Sequence, residues 1–197
     1  GQYNVEIEKG ETIVVEGNKD AEIPKNLKRV SGIQQALEFY QLACKPKYKN
    51  DGVTHDIEDT NTYQASMLEK AITKLDEVKY TMPNAGGLVI APNIEVAGYM
   101  AGLLNTLTGE KPELVHSKLP NTSDIIDRFR NSEKNWIVSV GMVSEGVDIK
   151  RLRVLVYLPN AKTELFFRQA MGRIVRTSNE NDNSFANVIM PTDKTFD

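Results

Sequence analysis

Short apolar runs alternate with stretches of helical periodicity through the second half of the sequence, and this alternation limits the fold more than any other feature. GLVIAP precedes a helical pattern from Ile94 to Leu107 that ends at Gly109, and NWIVSV and RVLVYLP precede a further amphipathic stretch. Continuous Val- and Ile-rich runs are typical of strands buried on both faces of a parallel sheet. The sequence therefore predicts an α/β fold with a mostly parallel sheet and helices on both faces. Further predicted elements are a strand ELVH, a helix capped by Thr122 or Ser123 that runs to about Arg130, and a strand FANVIMP.

The first part of the chain has a different pattern. YNVEIEKGETIVVEG predicts two strands around a turn at Lys9 and Gly10, and Ser31 with Gln34 forms a capping-box signature for a helix. KPKYKNDGVTHDIEDTN is polar and rich in turn residues, which predicts an exposed loop, and a second helix is expected from Met67 to Val78. We therefore divide the chain into a hairpin and helical extension or insertion at residues 1–84 and a main domain at residues 85–197.

Composition narrows the classes of function. The formal net charge is −3, which argues against a domain whose whole surface is basic, so any contact with DNA or RNA is expected to be local. Cys44 is the sole cysteine, which excludes an intrachain disulfide and a multi-cysteine zinc site and fits a reducing compartment such as the cytoplasm. No apolar run approaches the length of a membrane span, and no metal site is predicted. Because the chain begins at Gly1, we expect an excised fragment.

The stretch FFRQAMGRIVR predicts a helix with two unlike sides. Gln169, Gly172, Arg173 and Arg176 share one arc, while the large apolar residues gather on the opposite arc. The arginines could be solvent-facing charges with surface ion-pair partners, but a glycine inside the helix and two guanidinium groups a turn apart favour a polyanion, such as phosphate.

The loop GMVSEGVDIKRL follows the predicted strand NWIVSV. Its glycines, Gly141 and Gly146, would let backbone N–H groups approach a phosphate, and Asp148 could accept a hydrogen bond from a ribose hydroxyl. A tight turn between two strands is an equally good explanation of the loop alone. Just beyond it, the basic cluster Lys150, Arg151 and Arg153 could steer a phosphate backbone, or Arg153 could be a charge at the sheet edge.

Two further segments have simple structural interpretations. Asp76 and Glu77 in LDEVK lie on an amphipathic helix, so they are expected on its solvated side. Trp136 opens the NWIVSV strand and is expected to pack in the core.

Taken together, SEGVD in GMVSEGVD and QAMGRIVR resemble motifs V and VI of superfamily 2 (DEAD/DEAH-like) helicases and translocases. The two motifs are separated by the expected strand and short connection, RVLVYLPNAKTELFFR, and GLVIAPNIEVAGYMAGLL resembles the motif IV strand and helix. The resemblance covers roughly residues 85–195. It implies the second, C-terminal RecA-like domain of such an enzyme, whose ATP site is shared with an N-terminal RecA-like domain.

The resemblance also implies roles in nucleotide binding. Arg173 and Arg176 would reach the ATP phosphates, with the arginine-finger role falling on one or both of them, and Gln169 would orient the site. The nucleotide would also meet Glu145, Gly146 and Asp148, the last at the ribose. The magnesium ion that accompanies ATP would be held mainly by the N-terminal domain.

Nucleic-acid contacts are implied for Pro92, Asn93, Ser139 and Gly141. Many relatives have a threonine where Val140 stands, and valine lacks the hydroxyl that would hold a phosphate of the bound strand. That contact would then come from backbone N–H groups or from Ser139.

A missing motif leaves two functional hypotheses open. No G-x-x-x-x-G-K-[ST] phosphate cradle occurs in the sequence. The chain is therefore expected to contribute half of an ATP site within a helicase or translocase. The alternative is a non-catalytic α/β module, derived from a helicase domain, that binds nucleic acid or protein.

Overall fold

A seven-stranded sheet forms the centre of the computed structural model, which describes residues 5–8, 12–16, 45–50, 52, 56–140, 149–158 and 187–191. The sheet strands are β1 (Val5–Glu8), β2 (Thr12–Glu16), β5 (Gly86–Ala91), β6 (Glu113–Val115), β7 (Trp136–Val140), β8 (Leu152–Tyr157) and β9 (Asn187–Pro191). A separate two-stranded sheet contains β3 (Tyr48–Asn50) and β4 (Asp56–Glu58). The described helices are α1 (Tyr63–Lys79), α2 (Ile94–Thr108) and α3 (Thr122–Arg130).

The strand order in the large sheet is β1-β2-β9-β8-β5-β7-β6. The five strands from β9 to β6 are parallel to one another, whereas β1 and β2 form an antiparallel hairpin that joins the sheet beside β9. The predicted parallel sheet and the predicted N-terminal hairpin are both confirmed. Parallel neighbours require crossover connections, which explains why the apolar runs in the sequence are separated by helical stretches.

One face of the sheet is covered by α1 and α2. Val89, Val138 and Val156 project from adjacent strands into the core on this face and are fully buried. Both helices bury a stripe of residues three and four apart, as amphipathic helices on a sheet do. The helix residues in this core are Ala65, Met67, Leu68, Ala71 and Leu75 of α1, and Val96, Ala97, Tyr99, Met100, Leu103 and Leu104 of α2.

The opposite face of the sheet is buried as well. Leu88, Ile90 and Leu155 alternate with the residues of the first core and are at most 2% exposed. Phe129 of α3 is also buried, and its ring lies near Gly86 at the start of β5. The central strands are thus covered on both sides, which is the RecA-like α/β arrangement that the sequence predicted.

Helix boundaries follow from local capping. The Thr62 hydroxyl accepts from the Ala65 N–H at 3.2 Å to begin α1, and α2 ends at Gly109, whose φ of 75° is accessible to glycine. The cap predicted for α3 is wrong, because the helix already includes Thr122 and its N-cap is Asn121, which makes no side-chain capping bond.

The predicted loop at residues 45–61 contains an ordered hairpin instead. β3 and β4 pair antiparallel, with Tyr48 opposite Glu58, and the Tyr48 ring packs edge-on against Tyr99 of α2 at 5.5 Å between centroids. Tyr99 also donates to the Asp59 carbonyl at 3.1 Å. Packing onto α2 therefore outweighs the polar, turn-rich composition that favoured a loop.

Two predicted helices cannot be compared with the structure. The helix expected after Ser31 and the helix containing FFRQAMGRIVR lie outside the described residues. The boundary at residues 84 and 85 stays a prediction, although α1 shares its core with β5 and β8. Among the described helices, none is long and apolar enough to cross a membrane.

Gly87 provides a test of the packing between β5 and β7. A Cβ added there would overlap the buried Trp136 ring, so Gly87→Ala should lower the free energy of unfolding by about 1–3 kcal/mol through overpacking. Gly98→Ala is the matched control, because Gly98 is exposed on α2 with open space around it and alanine there should raise stability by about 0.5–1 kcal/mol. Urea unfolding of the two variants measures both changes in the free energy of unfolding. Equal effects of the two substitutions would contradict the packing.

Glu113 provides a test of pH dependence. Its carboxylate accepts from Arg128 at 2.7 and 3.1 Å and lies 3.1 Å from the Lys134 ammonium. The Arg128 hydrogen bonds hold the pKa of Glu113 below its ordinary value of 4.5 against the opposing effect of burial, and Lys134 adds to the lowering.

A carboxyl whose pKa is lowered by folding stabilises the fold above its unfolded pKa, and this contribution is lost as pH falls through the folded pKa. Glu113→Gln should therefore destabilise the protein at pH 7, and the difference should shrink as pH falls below 4.5. Urea unfolding at a series of pH values measures this. A difference between the two proteins that stays constant with pH would contradict the ion pairs.

Candidate functional site

The carboxyl ends of the parallel strands form the edge where the sequence predicts a site. Ala91 of β5 pairs with Val140 of β7, and the Leu158 N–H at the end of β8 donates to the Ile90 carbonyl at 2.9 Å. The segments that begin at Pro92, at residue 141 and at residue 159 thus leave the sheet from adjacent strands at one edge. This is the edge at which parallel α/β sheets bind ligands.

Asn93 caps a helix at this edge. Its Oδ1 accepts from the Val96 N–H at 2.9 Å, which makes it the N-cap of α2, while Pro92 before it is half-buried. Asn93 itself is exposed. The cap uses the side-chain oxygen, so the amide Nδ2 and the backbone around Pro92 are the groups that remain to meet a phosphate.

Ser139 and Val140 end β7 with opposite orientations. Val140 packs against the core beneath α1 and α2, and Ser139 lies on the other face of the sheet with 4% of its surface exposed. A buried hydroxyl is poorly placed to replace the threonine contact that Val140 lacks. Among the described residues, the backbone at the strand ends is the better candidate for phosphate.

The remaining predicted site residues stay predictions. The structure brings Pro92, Asn93 and Ser139 to one edge, since they end two paired strands. The others lie outside the described residues: Gly141, Glu145, Gly146, Asp148, Gln169, Arg173 and Arg176.

Arg151 does not serve a phosphate site. It is 7% exposed and lies at the amino edge of the sheet, opposite the predicted site. Its guanidinium donates to the carbonyls of Asn84 at 3.1 Å, Phe129 at 2.8 Å and Lys134 at 2.7 Å, and it stacks over the Phe129 ring at 4.1 Å.

Burial lowers the pKa of Arg151, with the Glu110 carboxylate acting in the opposite direction. The interpretation of residues 150–153 as one phosphate-steering cluster is therefore wrong for Arg151, because this side chain ties together the starts of β5 and β7 and the end of α3. Arg153 donates to the Lys150 carbonyl at 2.5 Å, which fits the alternative of a charge at the start of β8.

Two simpler interpretations from the sequence are confirmed. Trp136 is buried against Gly87 in the core, and Asp76 and Glu77 are exposed on α1. Neither acidic residue follows an apolar strand, so LDEVK is part of a surface helix.

Comparison with known proteins decides the family. The model of the family described as "Helicase conserved C-terminal domain" matches residues 68–178, which is more than half of the chain. The chain belongs to this helicase C-terminal domain family. The resemblance to a helicase C-terminal domain that the motifs carried is thereby confirmed, and the match starts earlier, within α1.

Similar proteins include two mycobacterial relatives. An uncharacterized protein of Mycobacterium tuberculosis is 39% identical over 130 residues, which are 66% of this chain and 21% of the relative. An uncharacterized protein of Mycobacterium leprae is 36% identical over 136 residues, 69% of this chain and 22% of that protein. This helicase C-terminal domain chain thus spans about a fifth of the length of these relatives.

Among solved structures, the Hef helicase domain of Pyrococcus furiosus is similar to this helicase C-terminal domain chain with a TM-score of 0.48. It is 20% identical, and the match covers 63% of this chain and 24% of that one.

Proposed function

We propose that this chain is the C-terminal RecA-like domain of an ATP-dependent superfamily 2 helicase or translocase that acts on DNA or RNA. In this proposal it works with an N-terminal RecA-like domain of the same protein, across a shared ATP site. The observation that carries the proposal is the family match over residues 68–178, which includes both GMVSEGVD and QAMGRIVR. The adjacent carboxyl ends of β5, β7 and β8 support it, since the motif segments follow these strands.

The donor set of this chain suits part of a nucleotide. In the predicted helix, Arg173 and Arg176 are about one turn apart, and each forked guanidinium matches the geometry of phosphate oxygens. Asp148 offers an acceptor for a ribose hydroxyl, and Glu145 and Gly146 precede it in the same loop. ATP held by the N-terminal domain would supply the phosphoanhydride that is hydrolysed, and Gln169 would orient the site.

Nucleic acid is proposed to lie along the carboxyl edge of the sheet. The backbone around Pro92, the Asn93 amide and the backbone of Gly141 would contact the sugar-phosphate chain, and such contacts position a strand without reading its sequence. Ser139 is not assigned a direct contact with the phosphate chain, because its hydroxyl is buried.

Nucleic-acid-stimulated ATP hydrolysis by the full-length protein tests the proposal. Arg173 and Arg176 are replaced singly by alanine, and the rates are compared with that of the parental protein. Unchanged hydrolysis in both variants would refute the arginine assignment. A parental protein that binds nucleic acid without hydrolysing ATP would instead favour the non-catalytic module.

A further inference from the structure

The β3–β4 hairpin lies outside the segment that matches the helicase family, since it ends before residue 68. Its inner face is fixed to the rest of the domain. Tyr48 packs on Tyr99, and a Cβ added at Gly102 of α2 would overlap the Glu58 carboxylate, so Glu58 lies directly against that helix. A hydrogen bond from Gln64 Nε2 to the Lys45 carbonyl at 2.7 Å holds the chain just before β3.

The outer face of the same hairpin is basic. Side chains alternate along a strand, so Lys47 and Lys49 point away from α2 when Tyr48 points toward it. Lys47, Tyr48 and Lys49 are all exposed. Ile57 pairs with Lys49 and is 40% exposed on the same outer face. Within the described ranges, no carboxylate forms an ion pair with Lys47 or Lys49.

Acidic groups near the hairpin offset the charge of this face only in part. Glu58 lies on the inner face with Tyr48, whereas Asp59 lies opposite Lys47, where its N–H donates to the Lys47 carbonyl at 2.8 Å and its Oδ1 accepts from the Asn61 N–H at 2.9 Å. Burial first, and then the carboxylates of Glu58 and Glu95, raise the pKa of Tyr48.

The hairpin stands close to the carboxyl edge of the sheet. Its contacts on α2, Tyr99 and Gly102, are five and eight residues from Ile94, where the helix begins at that edge. At 1.5 Å per residue, this is roughly 8–12 Å along the helix axis. A nucleic-acid strand bound at the carboxyl edge of the sheet could therefore reach the outer face of the hairpin within a few nucleotides.

Resting on the proposed function, we infer that the outer face of the β3–β4 hairpin, formed by Lys47 and Lys49, is an additional contact surface for the phosphate backbone of bound nucleic acid. The chemistry is charge complementarity between a polyanion and two exposed ammonium groups that have no ion-pair partner among the described residues, on a hairpin that packs against α2. Contacts of this kind are independent of sequence and strongly dependent on salt.

The test is salt-dependent binding of a fluorescein-labelled single-stranded DNA oligonucleotide, and of the RNA of the same sequence, to the full-length protein. The double variant Lys47→Ala/Lys49→Ala should bind about tenfold more weakly near 0.1 M salt, and its slope of log K against log salt should be smaller by roughly 1.4–1.8. The matched control is Lys111→Ala/Arg130→Ala, which removes the same charge from exposed basic residues near the amino edge of the sheet. Lys47→Arg/Lys49→Arg should retain parental binding.

The outcomes separate this inference from the proposed function. If the parental protein binds nucleic acid and the hairpin variant has the same salt slope as the control variant, the inference is wrong and the proposed function stands. A parental protein that binds neither oligonucleotide would refute both, and would leave the lysines as a surface for an acidic protein. A selective loss in the hairpin variant, with an unchanged melting curve, supports the inference.

Discussion

Replacing Arg173 or Arg176 by alanine in the full-length protein is expected to reduce nucleic-acid-stimulated ATP hydrolysis by about 10³–10⁵-fold. The physical reason is that a guanidinium presented to the transferring phosphoryl group offsets charge that develops only in the transition state. Lysine at either position should restore little activity, because a single ammonium cannot form the forked pair of hydrogen bonds. Steady-state ATPase rates with saturating nucleic acid provide the measurement.

The control for this experiment is Arg168→Ala. Arg168 belongs to the same predicted helix but lies about a quarter of a turn from the arc that contains Gln169, Arg173 and Arg176. Its removal changes the charge by the same amount and should leave the rate within a few-fold of the parental rate. Equal losses in all three variants would point to a damaged helix instead of a specific phosphate contact.

Binding measurements separate the chemical step from assembly of the site. Because the arginine contribution is largest in the transition state, the alanine variants should bind nucleic acid with nearly parental affinity while kcat falls. A rise in KM with unchanged kcat would show ground-state binding of ATP by these side chains. That result would support a nucleotide site that contains these arginines, but it would contradict their role as arginine fingers.

The sequence predicted the central sheet because parallel strands carry their signal locally. GLVIAP, NWIVSV and RVLVYLP correspond to β5, β7 and β8, whose residues are mostly buried on both faces, so each segment is a largely apolar run. The order of these strands in the sheet, and the edge at which their carboxyl ends lie together, are set by the folded structure. Capping was harder to predict, since Asn121 and Thr122 both have side chains that favour the start of a helix.

The β3–β4 hairpin was missed because its stability comes from distant residues. KPKYKND alternates lysine with other residues, a period of two that is consistent with a strand, but three-residue strands in a polar context give a weak signal. Tyr99 and Gly102, about fifty residues later, provide the surface on which the hairpin packs. No local pattern in residues 45–58 could reveal that contact.

Arg151 was misjudged for a related reason, and it gives the second large expected effect. Its neighbours Lys150 and Arg153 make it look like part of a charged surface, but the fold places carbonyls of Asn84, Phe129 and Lys134 around its guanidinium. Hydrogen bonds to a charged group contribute about 1.5–3 kcal/mol each at most, and losing a buried donor also leaves its acceptors unsatisfied.

Arg151→Ala is therefore expected to lower the free energy of unfolding by about 3 kcal/mol, and the melting temperature by roughly 6–12 °C. Urea and thermal unfolding of the chain measure the loss. Lys150→Ala is the matched control: its side chain is exposed, so stability should change by less than about 0.5 kcal/mol. Arg151→Lys should recover less than half of the loss, because a lysine cannot reach three carbonyls and stack on Phe129 at once.

If Arg151→Ala kept full stability but reduced the salt dependence of nucleic-acid binding, Arg151 would be a phosphate contact after all. The guanidinium at the amino edge would then have to leave the three carbonyls when nucleic acid binds, a change that its burial between β5, β7 and α3 opposes.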